Sequence, residues 1–115
     1  MVTALELAER DPSRCSMDQL QKGLSVLEGR WKVLILFQLF GAPTRRFSEL
    51  QRLLPGVSQK MLSQQLRELE ADGILSRTVY PVVPPKVEYA LTDDGRALLP
   101  ALRELQTWAL RRGHR

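Results

Sequence analysis

Apolar side chains recur at helical spacing through the first two thirds of the chain, and glycines or prolines separate the repeats. Ser16 and Gln19 form a capping box that predicts the start of a first helix, which Gly29 ends. Residues 30–40 are apolar almost all round, so we expect a second helix that is buried on most faces and forms the centre of the core. A Gly-Ala-Pro sequence ends it.

Two further helices are predicted between residues 47 and 72. The third covers Phe47 to Leu54, with Ser48 and Gln51 as a second capping box. Ser58 caps the fourth, which continues to Asp72. The fourth helix is amphipathic, with leucines on one face and a polar, positively charged face opposite. That outer face carries Lys60, Gln64 and Arg67, with Ser63 beside them.

After Gly73 the apolar pattern changes from the period of a helix to that of a strand. Segments 74–80 and 86–91 are rich in β-forming residues, and the prolines between them predict a hairpin with a stiff tip. Thr92 caps a last helix with a broad apolar stripe, in which Pro100 predicts a kink.

This order of elements is that of a winged helix-turn-helix domain, a mainly α fold with a small β-hairpin wing. We expect a loosely ordered arm at residues 1–15, the domain at residues 16–112, and a frayed tail at residues 113–115. The C-terminal helix carries more apolar surface than a small core needs, which favours a homodimer. The alternative is that the last helix packs on its own domain. The expected dimerisation residues are Leu20, Leu24, Leu98, Leu102, Leu105 and Trp108.

The distribution of charge favours nucleic acid as a partner. The net charge of +4 is modest, and the positive and negative charges of residues 1–40 cancel. Residues 45–67, however, hold five basic side chains against Glu49 alone, and the acidic Glu68, Glu70 and Asp72 follow behind them. A helix can enter the major groove, where Lys and Arg bind guanine and Gln binds adenine. The alternatives are solvated helix faces or a winged helix that binds only protein.

Other function classes find little support. No dinucleotide, phosphate-loop or zinc-protease motif is present, and the lone His114 is next to last, so we expect no enzyme and no cofactor or metal. One cysteine cannot form an intrachain disulfide, and no signal peptide or membrane span is predicted. These features indicate a cytoplasmic protein.

Two stretches, GRWKVLILFQL and RFSELQRLLPGVSQKMLSQQLRELEADGILSRTVYPVVPPKVEYALTDDG, resemble the HxlR-type family of bacterial transcription regulators, relatives of the MarR group. The resemblance covers about residues 15–110. It implies a dimeric repressor or activator, most simply a repressor, that binds a pseudo-palindromic operator of double-stranded DNA. Residues 58–72 would form the recognition helix and residues 74–91 the wing. The expected DNA-binding residues are Arg45, Arg46, Ser58, Gln59, Lys60, Ser63, Gln64, Arg67, Arg77 and Lys86.

The family resemblance also implies a role for Cys15 as a sensor. Several members sense oxidants or electrophiles through a cysteine just before the first helix, and Arg14 and the helix start would both stabilise a thiolate. The family usually has proline where this chain has Ser16. With no second cysteine, oxidation would give a Cys15–Cys15 bridge between subunits or a mixed disulfide with a low-molecular-weight thiol. The alternative is a structural cysteine in a regulator controlled by a small ligand.

Overall fold

A computed structural model of the chain describes residues 15–113, so most of the predicted arm and the end of the predicted tail lie outside it. The chain divides into two compact units, Met1–Arg30 and Trp31–Arg115. The described part of the first unit contains helix α1, Cys15–Val26. This helix begins one residue before Ser16, which therefore lies in its first turn and not at its N-cap. It ends before Gly29, whose φ of 116° is in the left-handed region.

The remaining elements follow the predicted order. They are α2 (Arg30–Phe40), β1 (Arg45–Arg46), α3 (Phe47–Leu53), α4 (Gln59–Ala71), β2 (Leu75–Tyr80), β3 (Lys86–Leu91), α5 (Asp93–Arg96) and α6 (Leu99–Arg112). The strands form an antiparallel sheet in the order β1-β3-β2, to which β1 adds a short edge that the sequence pattern did not predict. The architecture is a winged helix-turn-helix domain.

Local signals explain both ends of α4 and the start of α5. The Ser58 hydroxyl accepts a hydrogen bond from the Met61 N–H at 3.0 Å, which satisfies one of the open donors of the helix. Gly73 follows α4 with a φ of 75°, a conformation that suits glycine. The Thr92 hydroxyl accepts from the Gly95 N–H at 3.1 Å and donates to the Gly73 carbonyl at 2.6 Å. The predicted caps at Ser58 and Thr92 are confirmed.

Two predictions about helix geometry are wrong. No capping box forms at Ser48, because α3 starts directly after β1 and the Glu49 carboxylate accepts from the Arg46 N–H at 3.2 Å. Pro100 does not kink a long helix. It lies in the first turn of α6, where its missing N–H needs no partner, and residues 97–98 separate α6 from α5.

The core of the second unit lies between α2, α3, α4 and the sheet. Its fully buried side chains are Ile35, Leu36, Leu50, Leu62, Leu66, Leu69 and Leu75. Helix α2 is covered on most faces, as predicted: Arg30 and Leu34, the latter 41% exposed, are its exposed residues, and the others are buried or half-buried.

The apolar stripe of α6 divides into a buried part and an exposed part. Leu102 is 4% exposed and belongs to the core, which removes it from the set available for dimerisation. Leu105 and Trp108 are 54% and 50% exposed, so their own domain leaves about half of each side chain uncovered. In α1, Leu20 and Leu24 are likewise exposed. No helix within residues 15–113 is long and apolar enough to cross a membrane.

Candidate nucleic-acid interface

Helix α4 presents its polar side chains away from the core. Leu62, Leu66 and Leu69 are buried, and the side opposite them is the outer face of α4. All three residues predicted there, namely Lys60, Gln64 and Arg67, are exposed. Ser58 and Gln59, at the start of the helix, are also exposed. The helix therefore offers two cationic side chains and one amide to a partner without unfolding any part of the core.

The sheet carries a row of three residues in register across its strands. Arg45 in β1 pairs with Tyr89 in β3, and Tyr89 pairs with Arg77 in β2. Residues in register lie on the same face of an antiparallel sheet. Tyr89 and Leu91 are buried on this face, whereas Arg77 is exposed. The inner face of the sheet thus packs on the core and brings Arg77 to its margin.

A groove of about 410 Å³ separates α4 from this part of the sheet. It is lined by Ser63, Arg67, Glu70, Arg77 and Tyr89. Two guanidinium groups and a hydroxyl form a donor set that suits a phosphate group. Glu70 was expected behind the basic surface, and that expectation is wrong because Glu70 lines the same groove. The groove nevertheless holds two positive charges against one negative charge.

The other flank of α4 contacts α2. The buried Lys32 Nζ lies 2.7 Å from Glu68 Oε1, and Gln64 Nε2 donates to Glu68 Oε2 at 3.2 Å. Hydrogen bonds from Lys32 first and from Gln64 second hold the pKa of Glu68 below its usual value, against a smaller effect of desolvation. Glu68 therefore stays ionised, and Lys32 compensates its charge at short range. The sequence pattern placed this carboxylate away from Gln64, which is also wrong.

The outer face of the sheet holds a second set of polar residues. Lys86 Nζ lies 3.6 Å from Glu88 Oε2 and 5.0 Å from the centre of the Tyr80 ring. A hydrogen bond from Tyr80 is the main cause that lowers the pKa of Glu88 and raises that of Tyr80. Arg46 pairs in register with Glu88. Arg46 and Lys86 therefore lie on the opposite face of the sheet from Arg77, although the sequence grouped them.

Arg45 makes contacts within the protein. Its Nε donates to the Gln38 carbonyl at 3.0 Å, and its Nη1 lies 3.6 Å from Glu49 Oε2. The side chain is half-buried and joins β1 to α2 and α3. Arg45 was predicted to bind DNA, but its guanidinium group is already engaged in contacts that stabilise the fold.

Sequence reasoning missed Lys32, Glu70 and Tyr89. The one available signal was Lys32 itself, because a single cation within a mostly apolar helix indicates a buried ion pair. No local pattern could identify Glu68 as its partner, which is supplied by another helix. Cys15 is the first residue of α1, and its side chain lies outside the described part of the structure.

Comparisons with known proteins agree with this fold. The sequence model of the HxlR-like helix-turn-helix family matches residues 26–115. The uncharacterized HTH-type transcriptional regulator YkvN of Bacillus subtilis (strain 168) is 53% identical over 83 residues, which cover 72% of this chain and 70% of YkvN. Among solved structures, the redox regulator HypR in its reduced form matches with a TM-score of 0.80 and 42% identity, over 84% of this chain and 94% of HypR. Diamide-treated YodB from B. subtilis matches with a TM-score of 0.70 and 39% identity, over 82% of this chain and 92% of YodB.

Proposed function

Because the chain belongs to the HxlR-like helix-turn-helix family, whose members are DNA-binding transcriptional regulators and not enzymes, we propose that it is a cytoplasmic repressor that binds its operator as a homodimer. Helix α4 enters the major groove, and the wing formed by β2 and β3 contacts the DNA backbone or the adjoining minor groove.

The observation that carries this proposal is the exposed outer face of α4 beside the groove that contains Arg67 and Arg77. Lys60 and Arg67 can bind guanine, and Gln64 can bind adenine with its amide. Arg77 and Ser63 supply donors for a phosphate of the same half-site. Bases and backbone are thus bound by neighbouring side chains of one compact unit.

The exposed apolar side chains support a dimer. Leu105 and Trp108 form a stripe on α6, and Leu20 and Leu24 form another on α1. We infer that these helices pair with those of a second copy about a two-fold axis, with the half-buried Leu98 at the margin. Two α4 helices would then occupy successive major grooves about 34 Å apart on a pseudo-palindromic operator.

Base recognition and backbone contact can be separated by two variants, assayed on an operator selected from a random DNA library. Gln64→Ala should cost about 1–3 kcal/mol on that operator and relax its sequence preference. Arg77→Ala should weaken binding to all sequences alike and lower the salt dependence by about one counterion per protomer. Fluorescence anisotropy at several salt concentrations measures both effects.

Equal losses on operator and random DNA for Gln64→Ala would contradict its role in base recognition. A chain with no salt-sensitive DNA affinity would contradict the proposal itself and favour the winged helix as a protein-binding module. Thr107→Ala, a change at an exposed polar position on α6, is the control and should leave both quantities unchanged.

We further propose that Cys15 makes this regulator responsive to oxidants or electrophiles. HypR is a redox regulator and YodB has been crystallised after diamide treatment, and both structures resemble this chain. Cys15 is the only cysteine and the first residue of α1, and a helix N-terminus favours a thiolate. Diamide would take two electrons and two protons from two thiols, which join as a disulfide between protomers or with a small thiol.

Diamide treatment should therefore change operator affinity by at least roughly tenfold. This corresponds to a coupling free energy of about 1.4 kcal/mol between the cross-link and DNA binding. Band-shift assays and a mass spectrum of the same sample measure affinity and modification together. The Cys15→Ser variant should bind the operator with wild-type affinity, and diamide should not change that affinity. Unchanged affinity with Cys15 fully modified would assign the cysteine a structural role and leave control to a small ligand.

A further inference from the structure

Lys32 is a buried cation in a helix that otherwise buries only apolar side chains. It is 5% exposed, and its buried neighbours along α2 are Ile35, Leu36 and Leu39. Burying an ammonium group is costly unless it is paired and hydrogen-bonded. Its partner is Glu68 on α4, at 2.7 Å. A methionine or leucine would fill the same space in the core without this cost, so packing alone does not explain a lysine here.

The ion pair continues to the surface of α4. While Glu68 Oε1 contacts Lys32, Glu68 Oε2 accepts a hydrogen bond from Gln64 Nε2 at 3.2 Å. Gln64 is a full helical turn before Glu68 and is exposed on the outer face of α4. A chain of three side chains therefore runs from the core to a group proposed to recognise a base.

The three linked side chains of Lys32, Glu68 and Gln64 determine how the Gln64 amide is oriented. An amide that binds adenine must accept from N6 through Oε1 and donate to N7 through Nε2, so its two ends are not interchangeable. The bond to Glu68 uses one of the two Nε2 protons and leaves the other proton and Oε1 free. Lys32 holds the carboxylate in place and compensates a negative charge that would otherwise repel the phosphates. A Glu68 released from Lys32 could itself accept from cytosine N4.

We propose that Lys32 is a positioning residue that sets the sequence preference of α4 by acting through Glu68 on Gln64. The proposal rests on the proposed function, because α4 must be the helix that binds bases. It extends the DNA interface to a side chain that no DNA atom can reach.

The test is selection from a random DNA library with the full chain, followed by affinity measurements on single-base variants of the selected site. Gln64→Ala identifies the base pair that depends on Gln64. At that pair, wild type should prefer adenine by roughly tenfold, and Lys32→Met should reduce the preference to about twofold or less. Other positions keep their preference. Adding Lys32→Met to Gln64→Ala should change the preference no further, because both act through one side chain.

Two further variants separate this effect from a loss of folding. Lys32→Met/Glu68→Ala also removes the half-buried carboxylate that Lys32→Met leaves without its partner, so it should fold even if Lys32→Met does not, and it should show the same loss of adenine preference. Lys22→Met also removes a lysine from an ion pair, but its pair with Asp18 is fully on the surface of α1. It should select the wild-type site.

The outcomes distinguish a failure of the positioning role of Lys32 from a failure of the proposed function. If Gln64→Ala alters one base pair while Lys32→Met and the double variant keep the adenine preference and weaken all sequences equally, the positioning role is overturned and the proposed function stands. If Gln64→Ala alters no base pair, or the wild-type chain binds no DNA, the proposed function fails and the positioning role fails with it.

Discussion

Gly95→Ala is expected to destabilise the domain by about 3 kcal/mol or more, a loss of at least roughly 10 °C in melting temperature. Gly95 is buried in α5, and a Cβ there would overlap the backbone carbonyl oxygen of Ile74 and crowd a methyl group of Leu91. The carbonyl cannot move away easily, because it accepts the Thr92 N–H at 3.1 Å and, at 3.0 Å, shares the Thr92 hydroxyl proton with the Gly73 carbonyl. Thermal unfolding followed by circular dichroism at fixed protein concentration measures the change.

Asp94→Ala is the matched control for this substitution. It introduces the same side chain one residue earlier, at an exposed position, and removes only a carboxylate near the start of the helix. Its cost should be about 0.3–1 kcal/mol. A Gly95→Ala variant that melts as close to wild type as Asp94→Ala does would contradict the close packing of α5 against the Ile74 backbone.

The paired change Leu105→Glu/Trp108→Glu should convert the protein to a monomer and lower operator affinity by about 10²–10⁴-fold. Both side chains are half-exposed on α6, where they form the apolar surface proposed to meet a second copy. Two carboxylates in that interface would lose their hydration without gaining partners. A monomer binds one half-site and loses the high effective concentration of the second α4 helix. Light scattering gives the mass, to be compared with 13.1 kDa for one chain.

Gln106→Glu/Thr107→Glu adds the same two charges to α6 at exposed polar positions, and it should remain dimeric with wild-type affinity. A variant that is monomeric at micromolar concentration yet binds the operator as tightly as wild type would contradict the link between dimerisation and DNA binding. A dimeric Leu105→Glu/Trp108→Glu variant would place the interface elsewhere.

Much of the fold was predictable because its signals are local. Ser58 and Thr92 cap helices through bonds to residues three positions later, and the alternation of β3 fixes which side chains are buried. Strand β1 was not predictable, because two consecutive arginines carry no strand pattern and become a strand only by pairing with Tyr89 and Glu88.

The sequence predicted which residues belong to the candidate site, but not which of them lie on the same surface. The outer face of α4 follows from helical period alone, so Lys60, Gln64 and Arg67 were found. Whether Arg77 and Lys86 share a face depends on strand register, and the part that Glu70 plays depends on how the sheet packs against α4. Both are long-range properties that a periodic pattern does not contain.

Strand β1 also has a consequence for how this protein can be switched. By pairing with β3 and starting α3 directly, it fastens the wing to the helical part of the domain, and Arg45 ties the same strand to α2. We expect these contacts to hold the base of the wing at a fixed distance from α4 within one subunit, and so to fix the spacing of the base and phosphate contacts proposed for them. We expect an inducing signal to change the separation of the two subunits. Each subunit would keep its own contact with a half-site, but the spacing of the two subunits would no longer match that of the two half-sites.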